Sequence, residues 1–253
     1  MDGAPATAPR SRRVTAEGPA EARGDLRRQL AEWGKSLLAA VVIWLVLRTF
    51  VVESFRIDSG SMQNTLLVDD FLFVSKALYG AEVPLIHRHL PAIREPRHGD
   101  IVVFKSVETD TIVVKRLVGL PGDTLAMVHG HVLRDGRPLA EPYVVHDDSL
   151  RSESPAVRAR MRAWQQPHLA AAPGRPYEPD LQDWGPIVVP PDSLFVMGDN
   201  RDESYDSRYW GFLPRRNLRG SPFLIYYSFA PDSWHALPWL TAPRLARIFR
   251  RPR

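Results

Sequence analysis

Cysteine is absent from the 253-residue sequence. Its absence excludes disulfide bonds, thiolate catalysis and zinc sites built on cysteine sulfur. Eight histidines are present, and the closely spaced pairs are His87 with His89 and His129 with His131. Two histidines without a third ligand are a weak metal signal, because zinc takes three or four protein ligands. We therefore expect no metal ion and no cofactor.

Long apolar segments are also few. The longest run, Leu37 to Leu47, has eleven apolar residues, and Arg48 separates it from a short apolar continuation that ends at Val52. A membrane-spanning helix needs about 20 apolar residues, a length that this segment reaches if the Arg48 side chain extends to the lipid headgroups. We therefore expect one transmembrane anchor over residues 35–53, with a buried core helix as the alternative.

Basic residues slightly exceed acidic ones, since 33 Lys and Arg against 29 Asp and Glu give a net charge of +4. We interpret residues 1–34 as a basic, flexible tail. The positive-inside rule places this tail in the cytoplasm and everything after the anchor on the extracytoplasmic side. The Trp- and Arg-rich segment 230–253 has the residues that favour a bilayer interface, with a disordered tail as the alternative.

The region from residue 54 to 229 lacks long amphipathic helical patterns, which argues against alternating βαβ units. Short β-branched or aromatic runs fill it instead, separated by Gly, Pro and Asp. These runs are Phe71–Leu78, Gly99–Val107, Thr111–Leu120, Asp123–Ala140 and Ser193–Asp199. The pattern predicts a mostly β, antiparallel domain.

Two local signals refine this prediction. The Asp-Gly step within Arg134–Arg137 predicts a hairpin turn, because both residues tolerate positive φ. A Pro-, Arg- and Ala-rich stretch over 143–184 interrupts the β pattern, and its residues 154–166 resemble a short helix. We therefore expect an inserted subdomain over 143–184.

A Ser-Gly-Ser sequence, Ser59 to Ser61, follows the apolar segment. A serine nucleophile needs a base to take its proton, and no histidine lies in an obvious catalytic context. Lys115 is the better candidate, because the two-residue period of a strand places it between Val113 and Leu117 on an apolar face. Desolvation there lowers the pKa of a lysine and lets it act as a base. An edge strand with Lys115 in water is the alternative.

The segment Met197–Pro214 concentrates Asp, Glu, Arg and Ser residues. It does not match a calcium loop, since the sixth and twelfth positions counted from Asp199 hold Ser204 and Trp210 instead of Gly and Glu. The composition is typical of a surface turn with ion pairs, or of a polar network that holds a catalytic group in place.

Taken in order, the apolar segment and four motifs resemble bacterial type I signal peptidase (leader peptidase), a serine protease with a Ser/Lys dyad. The motifs are SGSMQNTLLVDDFLFVSK, RHGDIVVFK, VVKRLVGLPGD and GDNRDESYDSRYWGFLP, within residues 35–229. The resemblance implies an antiparallel β catalytic domain related to that of the self-cleaving repressors, with Ser61 as nucleophile and Lys115 as general base. It also implies a location in the cell membrane and, as substrates, preprotein signal peptides with small residues at positions −1 and −3.

The resemblance implies further roles at matching positions. Ser59 would donate its hydroxyl to the oxyanion hole beside the backbone N–H of Ser61, and Ser204 would hydrogen-bond Lys115. The residues that brace the same loop would be Asp206 with Arg208 and Asp199 with Arg201. The walls of the pocket that selects small substrate residues would be Phe55, Ile57, Met62, Leu66 and Val114.

The sequence departs from the family pattern at Asp58 and Asn64, where the family usually has Pro, and it has one predicted span where the family often has two. Three alternatives follow. A self-cleaving repressor would carry a DNA-binding helix-turn-helix where this chain has its apolar segment, so we expect no nucleic-acid partner. An inactive, membrane-tethered binding module of the same fold is opposed by the complete dyad. A specialised peptidase for one pilin-like substrate is kept open by Asp58 and the 143–184 insertion.

Overall fold

The structure is a computed structural model that describes residues 19–46, 48, 51–80, 82–83, 88–89, 91–146, 154–172, 174, 176–231 and 237–252. The chain divides into two compact units, Met1–Val46 and Leu47–Arg253.

The described part of the first unit is a single helix, α1, which runs from Pro19 to Val46. It begins inside the segment predicted as a flexible tail, so residues 19–34 are helical. Within the described parts of the chain, no helix combines the length and apolar character that a bilayer crossing requires. This finding does not support the anchor predicted over 35–53, whose uninterrupted apolar run is shorter than the roughly 20 residues of a span. Residues 47, 49 and 50 of that prediction lie outside the described residues.

The second unit is mostly β, as the sequence predicts. Its described strands, in chain order, are β1 (Val52–Arg56), β2 (Asp70–Ser75), β3 (Glu82–Val83), β4 (Arg88–His89), β5 (Ile101–Lys105), β6 (Ile112–Gly119), β7 (Thr124–Val128), β8 (His131–Arg134), β9 (Arg137–Pro138), β10 (Trp184–Val188), β11 (Ser193–Met197), β12 (Leu213–Pro214) and β13 (Leu218–Ser228). Its described α-helices are α2 (Pro155–Gln165), α3 (Ser207–Trp210) and α4 (Pro238–Thr241).

A seven-stranded antiparallel sheet carries the site described below. Its spatial order is β1-β2-β13-β5-β6-β11-β12. Buried and half-buried residues alternate along β2, so Leu72 and Val74 point into the core, as the two-residue period of a strand requires. Leu72 and Val74 pack with Met62 and Leu66, which come just after the Ser-Gly-Ser sequence. The hydrophobic core therefore anchors the chain on the C-terminal side of Ser61.

A second sheet has the order β10-β7-β8-β9, and the two short strands β3 and β4 pair with each other. The predicted hairpin turn joins β8 to β9, with φ of 52° at Asp135 and 74° at Gly136. The predicted helix is α2, which begins at an N-cap hydroxyl from Ser154. Met161 of α2 is fully buried in the same core cluster as the residues of this second sheet. The 143–184 insertion therefore shares the core of the β domain.

The C-terminal segment folds back onto the main sheet. The backbone of Ile225 exchanges hydrogen bonds with this segment, donating to Arg250 (2.8 Å) and accepting from Phe249 (2.7 Å). The Arg247 guanidinium binds both carboxylate oxygens of the fully buried Asp70, at 2.5 and 3.1 Å. It also donates to the carbonyl oxygen of Thr65 at 2.9 Å. This Arg247 clamp ties residues near the C-terminus to the turn that follows Ser61.

Candidate active site

Ser61 lies in a one-turn 3-10 helix, Gly60–Met62, shortly after the end of β1. Ser59 precedes this turn in an extended conformation. The first N–H groups of a helical turn have no acceptor within the helix, so the N–H of Ser61 is available to a ligand. The carbonyl oxygen of Ser61 accepts the backbone N–H of Asn200 at 3.1 Å. The Ser61 turn is thus hydrogen-bonded to the polar segment that was singled out in the sequence.

Lys115 projects from the middle of β6 towards this turn. Its Nζ lies 2.5 Å from Oγ of Ser61, although the two residues are 54 positions apart. Only 4% of Lys115 is exposed, and Val102 of β5 is its partner across the sheet. The alternative of an edge-strand lysine in water is therefore wrong, because β6 lies between β5 and β11 in the sheet.

Burial sets the protonation of Lys115. Desolvation is the largest effect and lowers the pKa of Lys115 to about 8, from 10.5. The nearby Arg208 charge acts in the same direction, whereas Asp206, Asp199 and Asp58 oppose it. Near pH 8 a substantial fraction of the lysine is the neutral amine, which can accept a proton from the Ser61 hydroxyl.

Ser59 is exposed and lies next to Ser61. Its Oγ is 3.5 Å from Oγ of Ser61. This distance places a second hydroxyl next to the atom that would attack a substrate. The Ser59 hydroxyl and the N–H of Ser61 thus both lie close to Oγ of Ser61.

The polar segment contributes a buried ion pair beside Lys115. The Arg208 guanidinium donates to both carboxylate oxygens of Asp206, at 2.9 and 3.0 Å, and both residues are fully buried. Burial alone would raise the pKa of Asp206, but the charge and hydrogen bonds of Arg208 lower it. Asp206 also accepts the backbone N–H of Gly198 at 3.0 Å, which fixes the start of the segment.

Ser204 does not make the hydrogen bond expected from the resemblance. Its buried hydroxyl makes no hydrogen bond to Lys115, and it lies near Asp206, where it helps to lower the pKa of that carboxyl. The backbone of Gly198 lies so close that an added Cβ would overlap Ser204. The hydroxyl is therefore held against Gly198, close to Ser61 but not on the Lys115 amine.

Asp199 and Arg201 each brace the segment through partners that sequence reasoning missed. Asp199 accepts two hydrogen bonds from Arg116, at 2.7 and 2.6 Å, and one from Thr65 at 2.5 Å. Arg201 donates to the carbonyl oxygen of Gly198 and to the Glu141 carboxylate. The signal for Arg116 was present in the sequence, as a second cation next to Lys115 on an apolar strand.

A cleft of about 210 Å³ opens beside the dyad. Four of the five predicted pocket residues are among those that line it, namely Phe55, Ile57, Met62 and Val114. Leu66 is not among the lining residues, because it is fully buried in the core behind Met62. Ser59, Ser61 and Asp58 also line the cleft, so Ser61 borders the space that a substrate would fill.

Sequence comparison identifies the family to which this chain belongs. The family model "Signal peptidase, peptidase S26" matches residues 30–227. The chain is 37% identical to signal peptidase I of Pseudomonas aeruginosa, an alignment that covers 83% of this chain and 76% of the relative. It is 36% identical to signal peptidase I of Leptolyngbya laminosa, over 83% of this chain and 85% of the relative. It is 31% identical to signal peptidase I P of Bacillus subtilis subsp. natto, over 79% and 90%.

A solved structure of a signal peptidase I from Enterococcus faecalis V583 is 27% identical, covers 51% of this chain and 98% of that one, and superposes with a TM-score of 0.34. The family assignment rests on the sequence matches, and the family model spans most of the chain. The protein therefore belongs to the signal peptidase family, peptidase S26.

Proposed function

We propose that this protein is a serine endopeptidase that removes N-terminal signal peptides from exported preproteins, with Ser61 as nucleophile and Lys115 as general base. The contact of 2.5 Å between the Lys115 amine and the Ser61 hydroxyl carries the proposal. Family membership supports the substrate class, since the relatives are signal peptidases by name. The same contact argues against an inactive binding module, which has no need of a buried lysine on its serine.

In the first chemical step, neutral Lys115 takes the hydroxyl proton of Ser61 while Oγ attacks the carbonyl carbon of the scissile peptide. The carbonyl oxygen becomes an oxyanion, which the N–H of Ser61 and the Ser59 hydroxyl stabilise. One such donor typically contributes about 3–4 kcal/mol to transition-state stabilisation. Collapse of the intermediate breaks the C–N bond, and the Lys115 ammonium returns the proton to the leaving amine.

The second step regenerates the enzyme. Neutral Lys115 takes a proton from water, and the resulting hydroxide equivalent attacks the ester between Ser61 and the signal peptide. Collapse of this second intermediate breaks the bond to Ser61 Oγ, which takes the proton back from the Lys115 ammonium, and the signal peptide leaves as a carboxylic acid that ionises in water. The geometry of the Asp206–Arg208 ion pair stays fixed throughout the reaction, because the two buried charges already neutralise and hydrogen-bond each other. Arg208 lowers the pKa of Lys115 and Asp206 raises it by more, so desolvation is what keeps the amine available.

Specificity for small residues follows from the cleft. Its volume of about 210 Å³ and its apolar walls, which include Phe55 and Val114, fit alanine side chains at positions −1 and −3. We propose that side chains larger than alanine at these positions contact the apolar walls less well, so that selection works partly by exclusion. We therefore propose cleavage after Ala-x-Ala sites.

We also propose that the protein works at the cell membrane, with residues 1–34 cytoplasmic and the β domain extracytoplasmic. Large apolar side chains in the second half of α1 support contact with lipid, because Leu37 and Leu38 are 67% and 65% exposed and Ile43 is 59% exposed. The exposed Trp239 and Leu240 of the C-terminal segment are suited to the bilayer surface.

The test uses the detergent-solubilised full chain and a preprotein with an Ala-x-Ala site. Wild type, Ser61→Ala and Lys115→Ala are compared, and the cut is mapped by mass spectrometry. Lys105→Ala is the matched control, because Lys105 is a partly exposed lysine that pairs with Asp110 on the protein surface. Circular dichroism verifies that each variant is folded.

Cleavage after the −1 alanine by wild type and Lys105→Ala, but not by the other two variants, is the expected result. Activity that survives Ser61→Ala or Lys115→Ala would mean that the nucleophile or base is wrong. A folded wild type that cuts no preprotein would shift support to the specialised peptidase or the inactive module.

A further inference from the structure

Asp58 is an unpaired negative charge on the wall of the cleft. It is exposed, lies between β1 and the Ser61 turn, and lines the same cleft as Ser61. Within the described parts of the chain, its carboxylate has no hydrogen bond or ion pair. An unpaired charge at the rim of a substrate cleft is free to act on whatever the cleft binds.

The other charged residue that lines the cleft is already neutralised. The Arg56 guanidinium binds Asp69, with its Nε and Nη2 atoms at 2.7 and 2.6 Å from the same carboxylate oxygen. Asp69 is buried, with only 3% of its surface exposed, so the pair is held in place. The net charge that the cleft wall presents to a substrate is therefore the negative charge of Asp58.

Asp58 also lies within electrostatic reach of the reacting atoms. Its charge raises the pKa of Lys115, in opposition to the larger effect of desolvation. A charge that acts on the Lys115 amine also acts on substrate residues bound next to the scissile bond, because both surround the Ser61 hydroxyl.

We propose that Asp58 is a specificity-determining residue that favours substrates with a lysine or arginine beside the scissile bond and disfavours those with an acidic residue there. This inference rests on the proposed function. Positions −1 and −3 of the substrate occupy the apolar part of the cleft, so the basic residue is at −2, +1 or +2. Exposed ion pairs are weak, and the expected preference is about two- to fivefold for each charge change.

The test measures kcat/KM for peptide sets that share one Ala-x-Ala site and carry Lys, Ala or Glu at −2, +1 or +2. The readout is the ratio of kcat/KM for the Lys and Glu peptides, which cancels any general loss of activity. Wild type is compared with Asp58→Asn, Asp58→Glu and Asp58→Lys. Glu95→Gln is the matched control, because Glu95 is an exposed carboxylate outside the cleft lining.

At one or more of these positions, wild type and Glu95→Gln should prefer the Lys peptide over both the Ala and the Glu peptides. Asp58→Asn should bring the ratio close to one, Asp58→Glu should retain it, and Asp58→Lys should invert it. The preference of wild type should shrink as salt is raised, because screening weakens contacts between exposed charges.

A ratio that is the same in wild type and Asp58→Asn at all three positions would overturn the inference. If Asp58 acts on Lys115 alone, Asp58→Asn shifts the pH dependence of cleavage equally for all peptides and leaves the Lys-to-Glu ratio unchanged. That result would also overturn the inference. Failure of wild type to cut any of the peptides would instead count against the proposed function, so the two failures are distinguishable.

Discussion

Arg116 and Asp199 form a two-hydrogen-bond ion pair, with both side chains at most 6% exposed, directly next to the residue that contacts Ser61. Consecutive residues of β6 thus supply a lysine without a tight ionic partner and an arginine with one. The pair connects β6 to the polar segment, and Thr65 joins it through the Asp199 carboxylate.

Loss of the Arg116 side chain is predicted to destabilise the protein strongly. Arg116→Ala leaves the buried Asp199 carboxylate uncompensated, at a cost of about 3–5 kcal/mol in the free energy of unfolding. Urea denaturation followed by tryptophan fluorescence measures this cost. Glu178→Gln is the control, because it removes an exposed partner of Arg162 and should change stability by less than about 1 kcal/mol. Equal stability of the two variants would contradict the prediction.

The pH dependence of cleavage should report the titration of Lys115. Below its pKa of about 8 the residue is an ammonium ion and cannot accept the Ser61 proton. We therefore expect kcat/KM to fall about tenfold per pH unit below pH 8 and to level off above it. Steady-state rates between pH 6 and 9.5 test this expectation. A profile that is flat across pH 8 would mean that another group is the base.

Gly198→Ala should impair catalysis. A Cβ at this position would lie 2.5 Å from the carbonyl oxygen of Ser61 and would also overlap Ser204. The Ser61 turn or the polar segment must therefore move, and misplacement of a nucleophile by about 1 Å costs roughly 100-fold in rate. Gly34→Ala in α1 is the control, because nothing lies within 4 Å of the added carbon. Equal kcat values for the two variants would show that the site tolerates the shift.

The Arg247 clamp should contribute to both stability and rate. Arg247→Ala removes the two-hydrogen-bond partner of the buried Asp70, and we expect a loss of about 3 kcal/mol in the free energy of unfolding. Because the same guanidinium binds the carbonyl oxygen of Thr65, kcat should also fall at temperatures where the variant remains folded. Arg251→Ala, an exposed arginine nearby, is the control. Unchanged kcat in folded Arg247→Ala would limit the clamp to stability.

Local patterns predicted the β domain well, because strand period and turn chemistry are short-range properties. The Asp135-Gly136 turn and the α2 helix follow from such signals. The burial of Lys115 could not be predicted from such signals, because an apolar strand has the same sequence pattern at the edge of a sheet and at its centre. The order of strands places β6 between β5 and β11, and that order depends on contacts distant in sequence.

The polar partners of the site were harder to predict for the same reason. Asp199 pairs with Arg116, 83 positions away, although Arg201 lies two residues along the chain. Residues that are close in sequence at the end of a strand point in different directions. Closeness in sequence is therefore a poor guide to which charged side chains form ion pairs. The extent of α1 was also missed, because the mixed-charge residues before the apolar run carry no clear helical period.

The Arg247 clamp also has a consequence for how the enzyme is made. Thr65 and Arg247 are 182 residues apart, so a ribosome completes the Ser61 turn and the Lys115 strand long before it adds the residue that neutralises Asp70. Until then, the Asp70 carboxylate lacks its Arg247 partner beside the Ser61 turn. A nascent chain therefore contains Ser61 and Lys115 well before the Arg247 clamp can form beside them.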